Sequence, residues 1–558
     1  MILRRNKKRK IHEIYPDEIL LDVHNLPSFD RQQFEGQLER PISKSTISSL
    51  FIFILIIAFI FTIRLTTVQV VRGESYATKS ENNSLDSIPI FADRGVIYDR
   101  NGVELVWKIV DEVASLTKRS YTPDHGFSNV LGYVSYPTKD SSGNLWQQKT
   151  IGKDGVEKEF DEELSGVNGK KLVETNVAGE FVSEGGIEAS IQGQNVYLSL
   201  DSRIQKALYQ GIADLAAASG YVGGTGLVMD IKTGELYAMT SYPEYNSNII
   251  SEGKDTAIIK SYLQSSSKPL LNRAIDGVYT PGSIVKPFFA VGALEEGVIT
   301  PNKVIYTNGK LEIPNPYNPK LTTIFKDNAD HGPVDMKKAL AVSSNVYFYQ
   351  IGGGFGSQKG LGINLLEKYA KAFGIGEKTG VDIGGEREGN IPSIEWKAKR
   401  FPGDAWRVGD TYNTSIGQYG FQVTPLQMAR AIAGIASKGT LQTPTIRKLD
   451  TIPKGTDVGI SDSSYGAVHE GMRLGVLEET TRALNDEVIH IAAKSGTAQI
   501  KNNTRVNSWA IGFFPYENPR FSFAVLMEDG PKVSSGAVHA FKPVLQVLKD
   551  NPEILTKY

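Results

Sequence analysis

An apolar run from Leu50 to Ile63 constrains this chain more than anything else in its 558 residues. With Ile47 to Ser49 before it, and Leu65 to Val71 after the lone Arg64, it reaches the roughly 20 residues that cross a bilayer as a helix. Arg64 can extend its guanidinium to the nearer interface if it lies close to the outer end. A cleaved signal peptide would begin nearer the N-terminus and end in small residues, and neither feature is present. A buried soluble helix is rarely so apolar on every side. The run therefore predicts a transmembrane helix over 47–67. Arg4, Arg5, Lys7, Lys8, Arg9 and Lys10 precede it, and basic flanks stay on the cytoplasmic side of a membrane. A cytoplasmic tail over 1–46 follows, with everything after about Val71 outside, where catalysis has no ATP to draw on.

The formal net charge of −1 gives no reason to expect a nucleic acid or a polyacidic substrate. Cysteine is absent, which excludes disulfides, a thiol nucleophile and any thiolate-bound metal. From 68 to 194 the composition is polar and turn-rich. Val96 and Ile97, flanked by Arg94-Gly95 and by Asp99-Arg100-Asn101-Gly102, read as a strand entering a tight turn. Ile151 to Lys170 carries helical spacing that closes at Gly166 and Gly169. This region reads as a small α+β module on a stalk.

A second domain is expected over 195–550, with a short tail at 551–558. Val196 to Leu200 has a strand pattern and Ser202 to Ala217 a helical one. Gly226–Ile231 and Glu235–Thr240 flank Lys232-Thr233-Gly234 as a hairpin. Three strand-like runs come late: Ile489 to Ile500, Ser508 to Phe514 and Phe521 to Glu528. Together these predict an α+β fold, one antiparallel sheet with helices inserted between its halves.

Three short elements could carry chemistry. Ser283 and Lys286 are three apart, after Pro281-Gly282 and ahead of the helical run Phe288 to Leu294. That spacing puts hydroxyl and amine on one face, where a helix N-terminus favours an oxyanion and a desolvated amine can accept a proton. Ser343-Ser344-Asn345 follows the helical Met336 to Val342, so Ser343 can relay a proton and Asn345 hold a substrate backbone. Lys494-Ser495-Gly496-Thr497 lies in a strand, where Lys494 and two hydroxyls suit a carboxylate and Gly496 would let a substrate chain approach the edge. Each alone is weak, since a lone Ser-x-x-Lys is usually surface helix. Ser115/Lys118, Ser251/Lys254 and Ser265/Lys268 share that spacing in polar stretches, Ser142-Gly143-Asn144 matches the second element in a turn, and Lys232-Thr233-Gly234 and Lys378-Thr379-Gly380 mimic the third. The ordered set is the signal: it is named for penicillin-binding proteins and class A β-lactamases. There is no Gly-x-Ser-x-Gly elbow and no P-loop. Asp327, Asp330 and His331 suit a solvated loop better than a metal site.

The chain resembles class B penicillin-binding proteins over nearly its whole length. Arg94 to Gly102 looks like that family's pedestal or dimerisation module, and Gly155-Val156-Glu157 and Asp230 to Glu235 continue the likeness. Ser344 to Gln350, Pro392 to Trp396 and Gly409 to Gln418 are similar to the elongation, rod-shape type. The resemblance implies the penicillin-binding transpeptidase fold and serine D,D-transpeptidation of peptidoglycan stem peptides ending in D-Ala-D-Ala. It further implies covalent binding of penicillin and other β-lactams, and partnership with a membrane SEDS-family glycosyltransferase and the elongation machinery. By motif, Ser283 would be the nucleophile and Lys286 its base. Ser343 and Asn345 would relay protons and hold substrate, and Lys494, Ser495, Gly496 and Thr497 would contact it. The N–H groups of Ser283 and Thr497 would form the oxyanion hole. Only about 50 residues separate Gly102 from Gly152, a shorter head than the family usually carries. Some elongation-type members have a metal site that includes a cysteine; this chain has none, so no metal or cofactor is expected. A D,D-carboxypeptidase or β-lactamase, or an idle scaffold or β-lactam sensor, remain the alternatives.

Overall fold

A computed structural model describes residues 43–75, 85–111, 116–141, 145–175, 181–315, 318–532 and 536–556. The basic cluster at Arg4 to Lys10, almost all of the 1–46 tail, Ser142-Gly143-Asn144 and the last two residues lie outside these. The chain falls into two compact units, residues 1–86 with 174–181, and residues 87–173 with 182–558.

The first unit carries helix α1 (Lys44–Thr66), whose 23 residues span about 34 Å. Ser43 Oγ accepts the Thr46 N–H at 3.1 Å and caps its start. No α1 residue is buried within the protein, and a wider helical turn carries the chain on to Val71. The helix begins three residues before the expected span, because the hydroxyl cap rather than the apolar boundary sets its start.

In the second unit the pedestal sheet is built from β1 (Ile97–Tyr98), β2 (Glu104–Asp111) and β3 (Leu116–Tyr121). Asp99 Oδ1 accepts the N–H groups of Asn101 and Val103 and shapes the turn after β1. The continuous helical pattern over Ile151 to Lys170 resolves into two short pieces, α2 (Gly155–Glu159) and α3 (Asp161–Ser165), broken at Phe160. The break lets Arg94 reach the Glu157 carboxylate (2.6 Å) and Asp161 (2.7 Å) together. Strand β4 (Val196–Tyr197) is shorter than the expected Val196 to Leu200, and it pairs in parallel with β1, completing the pedestal sheet.

Helix α4 (Ser202–Ser219) starts at an Asp201 cap and ends at Gly220, which is left-handed (φ 72°). β5 (Gly223–Asp230) and β6 (Leu236–Tyr242) form the expected hairpin. Its turn is made by Asp230 Oδ1 accepting the N–H of Lys232 and Thr233, with Gly234 at φ 80°. After α5 (Lys286–Glu295) comes a long hairpin, β7 (Ile305–Asn315) and β8 (Asn318–Val334). Then follow α6 (Met336–Val342), α7 (Asn345–Gly353), α8 (Pro425–Ala436) and α9 (Ser463–Leu477). The chain ends with β9 (Ala492–Ile500), β10 (Arg505–Phe514), β11 (Phe521–Pro531) and α10 (Lys542–Asp550).

The late strands join the early hairpin in one five-stranded antiparallel sheet, order β6-β5-β11-β10-β9. Every residue of β5 is buried because both faces are covered. Leu227 and Met229 point into one core, and Val228 between them points into the other with Leu208 of α4. Gly226 has no room for a side chain, since a Cβ would lie 2.8 Å from Leu208. β9 stands at the edge of this sheet.

Candidate active site

The Pro281-Gly282 turn is possible only with glycine: Gly282 sits at φ 60° and donates its N–H to Gly417 O at 3.0 Å. Residues Gly282–Val285 then form a 3₁₀ turn that runs directly into α5. Side chains three apart eclipse one another in such a turn, which sets Ser283 above Lys286. Ser283 is partly exposed, whereas Lys286 is fully buried.

Lys286 Nζ donates to Ser343 O and to Asn345 Oδ1, both at 2.8 Å, and lies 3.3 Å from Ser343 Oγ. Burial pushes its proton affinity well below the ordinary lysine range; the charge of Lys494 pushes the same way, and Asp327 acts against both. A neutral Lys286 keeps two N–H groups for the two short acceptors. Its lone pair is then left for a hydroxyl.

Ser343 closes α6 in the left-handed region (φ 61°, ψ 38°), a conformation that costs a non-glycine residue about 1–3 kcal/mol. The kink turns the chain so that Ser344 Oγ caps α7 through the Tyr347 N–H at 3.2 Å, with Asn345 as the first helical residue. Ser343 and Asn345 therefore face Lys286 from either side of a break between two helices.

Lys494 lies in β9, 1 % exposed, and donates to Ser495 O at 2.8 Å. Burial alone lowers its pKa from 10.5 to about 7. Ser495 is half-buried and Thr497 exposed along the same strand. The Ser283 turn packs on this strand, because a Cβ on Gly282 would meet Thr497 O at 2.9 Å and Trp509 Nε1 on β10 donates to Thr280 O at 3.0 Å. Gly496 has a use different from the expected one. A Cβ there would meet Ile284 at 2.8 Å and Pro281 O at 3.0 Å, so its missing side chain admits the Ser283 turn.

Ser115 lies outside the described residues, as Ser142-Gly143-Asn144 does, and the two patterns that mimic the third motif stay apart from this cluster. Lys232-Thr233-Gly234 is the β5–β6 turn, and Thr379 is held in a loop by Glu386. A cavity of about 760 Å³ opens elsewhere, by Arg100, Glu235, Asp230 and Arg520. Its charges pair as Arg100–Glu235 and Arg520–Asp230, and none of the three motifs lines it.

Residues 224–546 match the penicillin binding protein transpeptidase domain, and residues 110–198 the penicillin-binding protein dimerisation domain. The chain belongs to the penicillin-binding transpeptidases. The peptidoglycan D,D-transpeptidase MrdA of Haemophilus influenzae is 30% identical over 472 residues, covering 78% of this chain and 70% of that protein. Pseudomonas aeruginosa PBP2, solved in complex with WCK 5153, is 30% identical with a TM-score of 0.69 over 83% of this chain and 96% of that one. Helicobacter pylori PBP2, solved in complex with MreC, is 27% identical with a TM-score of 0.68 over 85% and 99%. These likenesses place the transpeptidase in class B, rod-shape type.

Sequence reasoning missed two groups that build this candidate site. One is the Gly417 carbonyl, which anchors the Ser283 turn from the Gly409 to Gln418 stretch. The other is Asp327, expected in a solvated loop. It lies instead in β8, and its carboxylate accepts from Ser344 Oγ (2.6 Å) and from the N–H groups of Asn345 (2.5 Å) and Val346 (3.1 Å). Asp330 and His331 turn away, to the Gly332 N–H and to Asn328. No local pattern near 327 signals a partner 17 residues onward.

Proposed function

We propose that this protein is a membrane-anchored peptidoglycan D,D-transpeptidase of wall elongation, in which Ser283 forms the acyl-enzyme. The observation that carries the reading is the buried, proton-poor Lys286 lying between the Ser283 turn and the Ser343–Asn345 kink. Ser283 Oγ attacks the carbonyl of the penultimate D-alanine while its proton passes to Lys286 Nζ. The resulting oxyanion takes hydrogen bonds from the Ser283 and Thr497 N–H groups. As the peptide C–N bond breaks, Lys286 returns the proton through the Ser343 hydroxyl to the departing D-alanine amine. The amine of a second stem peptide then attacks the ester, loses its proton along the same route, and frees Ser283. Asn345 and the β9 edge, with Lys494, Ser495 and Thr497, hold the donor strand as an added β-strand, and Gly496 keeps that edge close to the nucleophile. In a β-lactam the same attack opens the ring but leaves the amine tethered, so the ester persists.

Helix α1 suits a single membrane pass. The basic residues before it put the N-terminus in the cytoplasm and the catalytic domain outside. The Helicobacter pylori relative's assembly with MreC supports partners in peptidoglycan synthesis, and a SEDS-family glycosyltransferase, which the family resemblance implies, is proposed as one of them. Labelling the full-length protein with a penicillin, then mapping the adduct by mass spectrometry of a digest, tests the reading. A long-lived adduct on Ser283 is expected, and Ser283→Ala abolishes it. Label on another residue, or rapid turnover of the drug, would overturn it.

A further inference from the structure

The β7–β8 hairpin does more than cover the second motif. Its ladder pairs Asn308 with Asp330 and then Lys310 with Lys326, so residues 327–329 on β8 face only Gly309 on β7. Extra residues on one strand leave the ladder, and a bulge of this kind re-aims side chains. Gly309 at φ 77° supplies the sharp opposing turn.

The re-aimed segment fastens the chain on both sides of Ser343. Before it, Asn328 Nδ2 donates to Val342 O at 3.0 Å. After it, the Asp327 carboxylate collects the Ser344 hydroxyl and the first two N–H groups of α7, donors that a helix start otherwise leaves without partners. Lys326 O faces Asn345 Nδ2 at 3.5 Å and Tyr349 Oη at 3.4 Å. Phe325 packs edge-on against Tyr349 and Tyr412, with ring centroids 5.7 and 5.1 Å apart.

We propose that Asp327 is a positioning residue for acylation, holding the Ser343–Asn345 kink so that Ser343 O and Asn345 Oδ1 meet the Lys286 amine. The contacts run in series. With Asn345 Nδ2 turned to Lys326 O, its Oδ1 is presented to Lys286. With Ser344 and the α7 N-terminus pinned, Ser343 stays in its left-handed conformation. Asp327 also places a negative charge that favours the protonated form of Lys286, opposing Lys494 of β9. The inference rests on the assignment of Ser283 and Lys286 above.

The test measures penicillin acylation of full-length protein in detergent, from mildly acidic to basic pH, for wild type, Asp327→Ala, Asp327→Asn and the hairpin control Asp330→Asn. Asp327→Ala is expected to slow acylation about 100-fold, the scale for a catalytic group displaced by about an ångström. Asp327→Asn keeps size and one acceptor oxygen but no charge, so it also decides the matter if the alanine variant does not fold. Without the carboxylate Lys286 loses its proton more readily, so the acid limb of the rate profile moves to lower pH. Asp330→Asn leaves rate and profile unchanged. Wild-type rate and an unmoved acid limb in Asp327→Asn would overturn the proposal, even if the variant melts early, since that is what a purely structural role produces. Mapping the adduct separates the two readings: label off Ser283 in wild type removes the site assignment, whereas label on Ser283 with unaffected Asp327 variants removes only this inference.

Discussion

Two of the sites where the described residues bury charge resolve it in opposite ways. In the pedestal, Glu157 is wholly buried and lies between two guanidiniums, Arg94 Nε at 2.6 Å and Arg119 Nε at 2.8 Å. Arg94 also reaches Asp161, and Arg119 donates to Gly95 O at 2.7 Å. Positive and negative charge meet there at contact distance. In the catalytic domain Lys286 and Lys494 are equally buried, but their contacts are carbonyls, an amide oxygen and a hydroxyl. Neutral acceptors do not offset the desolvation of an ammonium, so both lysines lose proton affinity. Paired burial fixes structure. Unpaired burial of like charges lowers proton affinity.

Exchanging the two roles should break the comparison most visibly. Lys286→Met is expected to cut penicillin acylation by about a thousandfold, the scale of losing a general base. Its melting temperature should stay near wild type, since removing a desolvated amine offsets the two acceptors left without a donor. Glu157→Ala should do the reverse: leaving Arg94 and Arg119 unpaired costs about 3–5 kcal/mol in denaturant unfolding, while the folded fraction acylates at the wild-type rate. Equal loss of rate and stability in both variants would erase the distinction.

Proton linkage sharpens the contrast. Unfolded, Lys494 holds its proton up to about pH 10.5; folded, it does so only up to about 7. Between those values the unfolded chain binds more protons, so wild-type stability rises with pH across that window by up to several kcal/mol relative to Lys494→Met. Urea midpoints measured at intervals across it would show the rise in wild type and its loss in the variant. The acylation rate should climb with pH through neutrality, as the lysine pair sheds its proton. The smallest effect belongs to an exposed pair on the pedestal surface. Lys108 and Asp93, 2.5 Å apart with side chains 42 % and 28 % exposed, contribute less than about 1 kcal/mol, so Lys108→Ala should leave both the melting temperature and acylation almost unmoved.

Much of this molecule was legible where local chemistry decides. Helix α6 runs over the expected residues because Asp335 caps it, its Oδ1 accepting the Lys338 N–H, and an apolar stripe follows. The β5–β6 hairpin follows from an aspartate turn and one left-handed glycine. The late strands announce themselves by apolar runs, although β9 starts at Ala492 rather than Ile489. The three motifs were visible because a serine and a lysine three apart, or a lysine before small hydroxyl residues, are short-range patterns.

Tertiary structure decided whatever depends on partners far along the chain. The helical pattern over Ile151 to Lys170 breaks at Phe160 because Arg94 draws two carboxylates to itself. Val196 pairs with Ile97, a parallel contact without a local signal. Gly496 has no room for a side chain beside Ile284, and Asp327 meets the site through Ser344, 17 residues away. The sequence alone determined the long apolar helix, the sheet's strands and the candidates for the reactive groups, since those follow from the solvation and spacing of neighbours. How readily Lys286 gives up its proton was decided only by folding, because proton affinity depends on which charges and dipoles are brought within a few ångströms, and residues distant in the chain supply them.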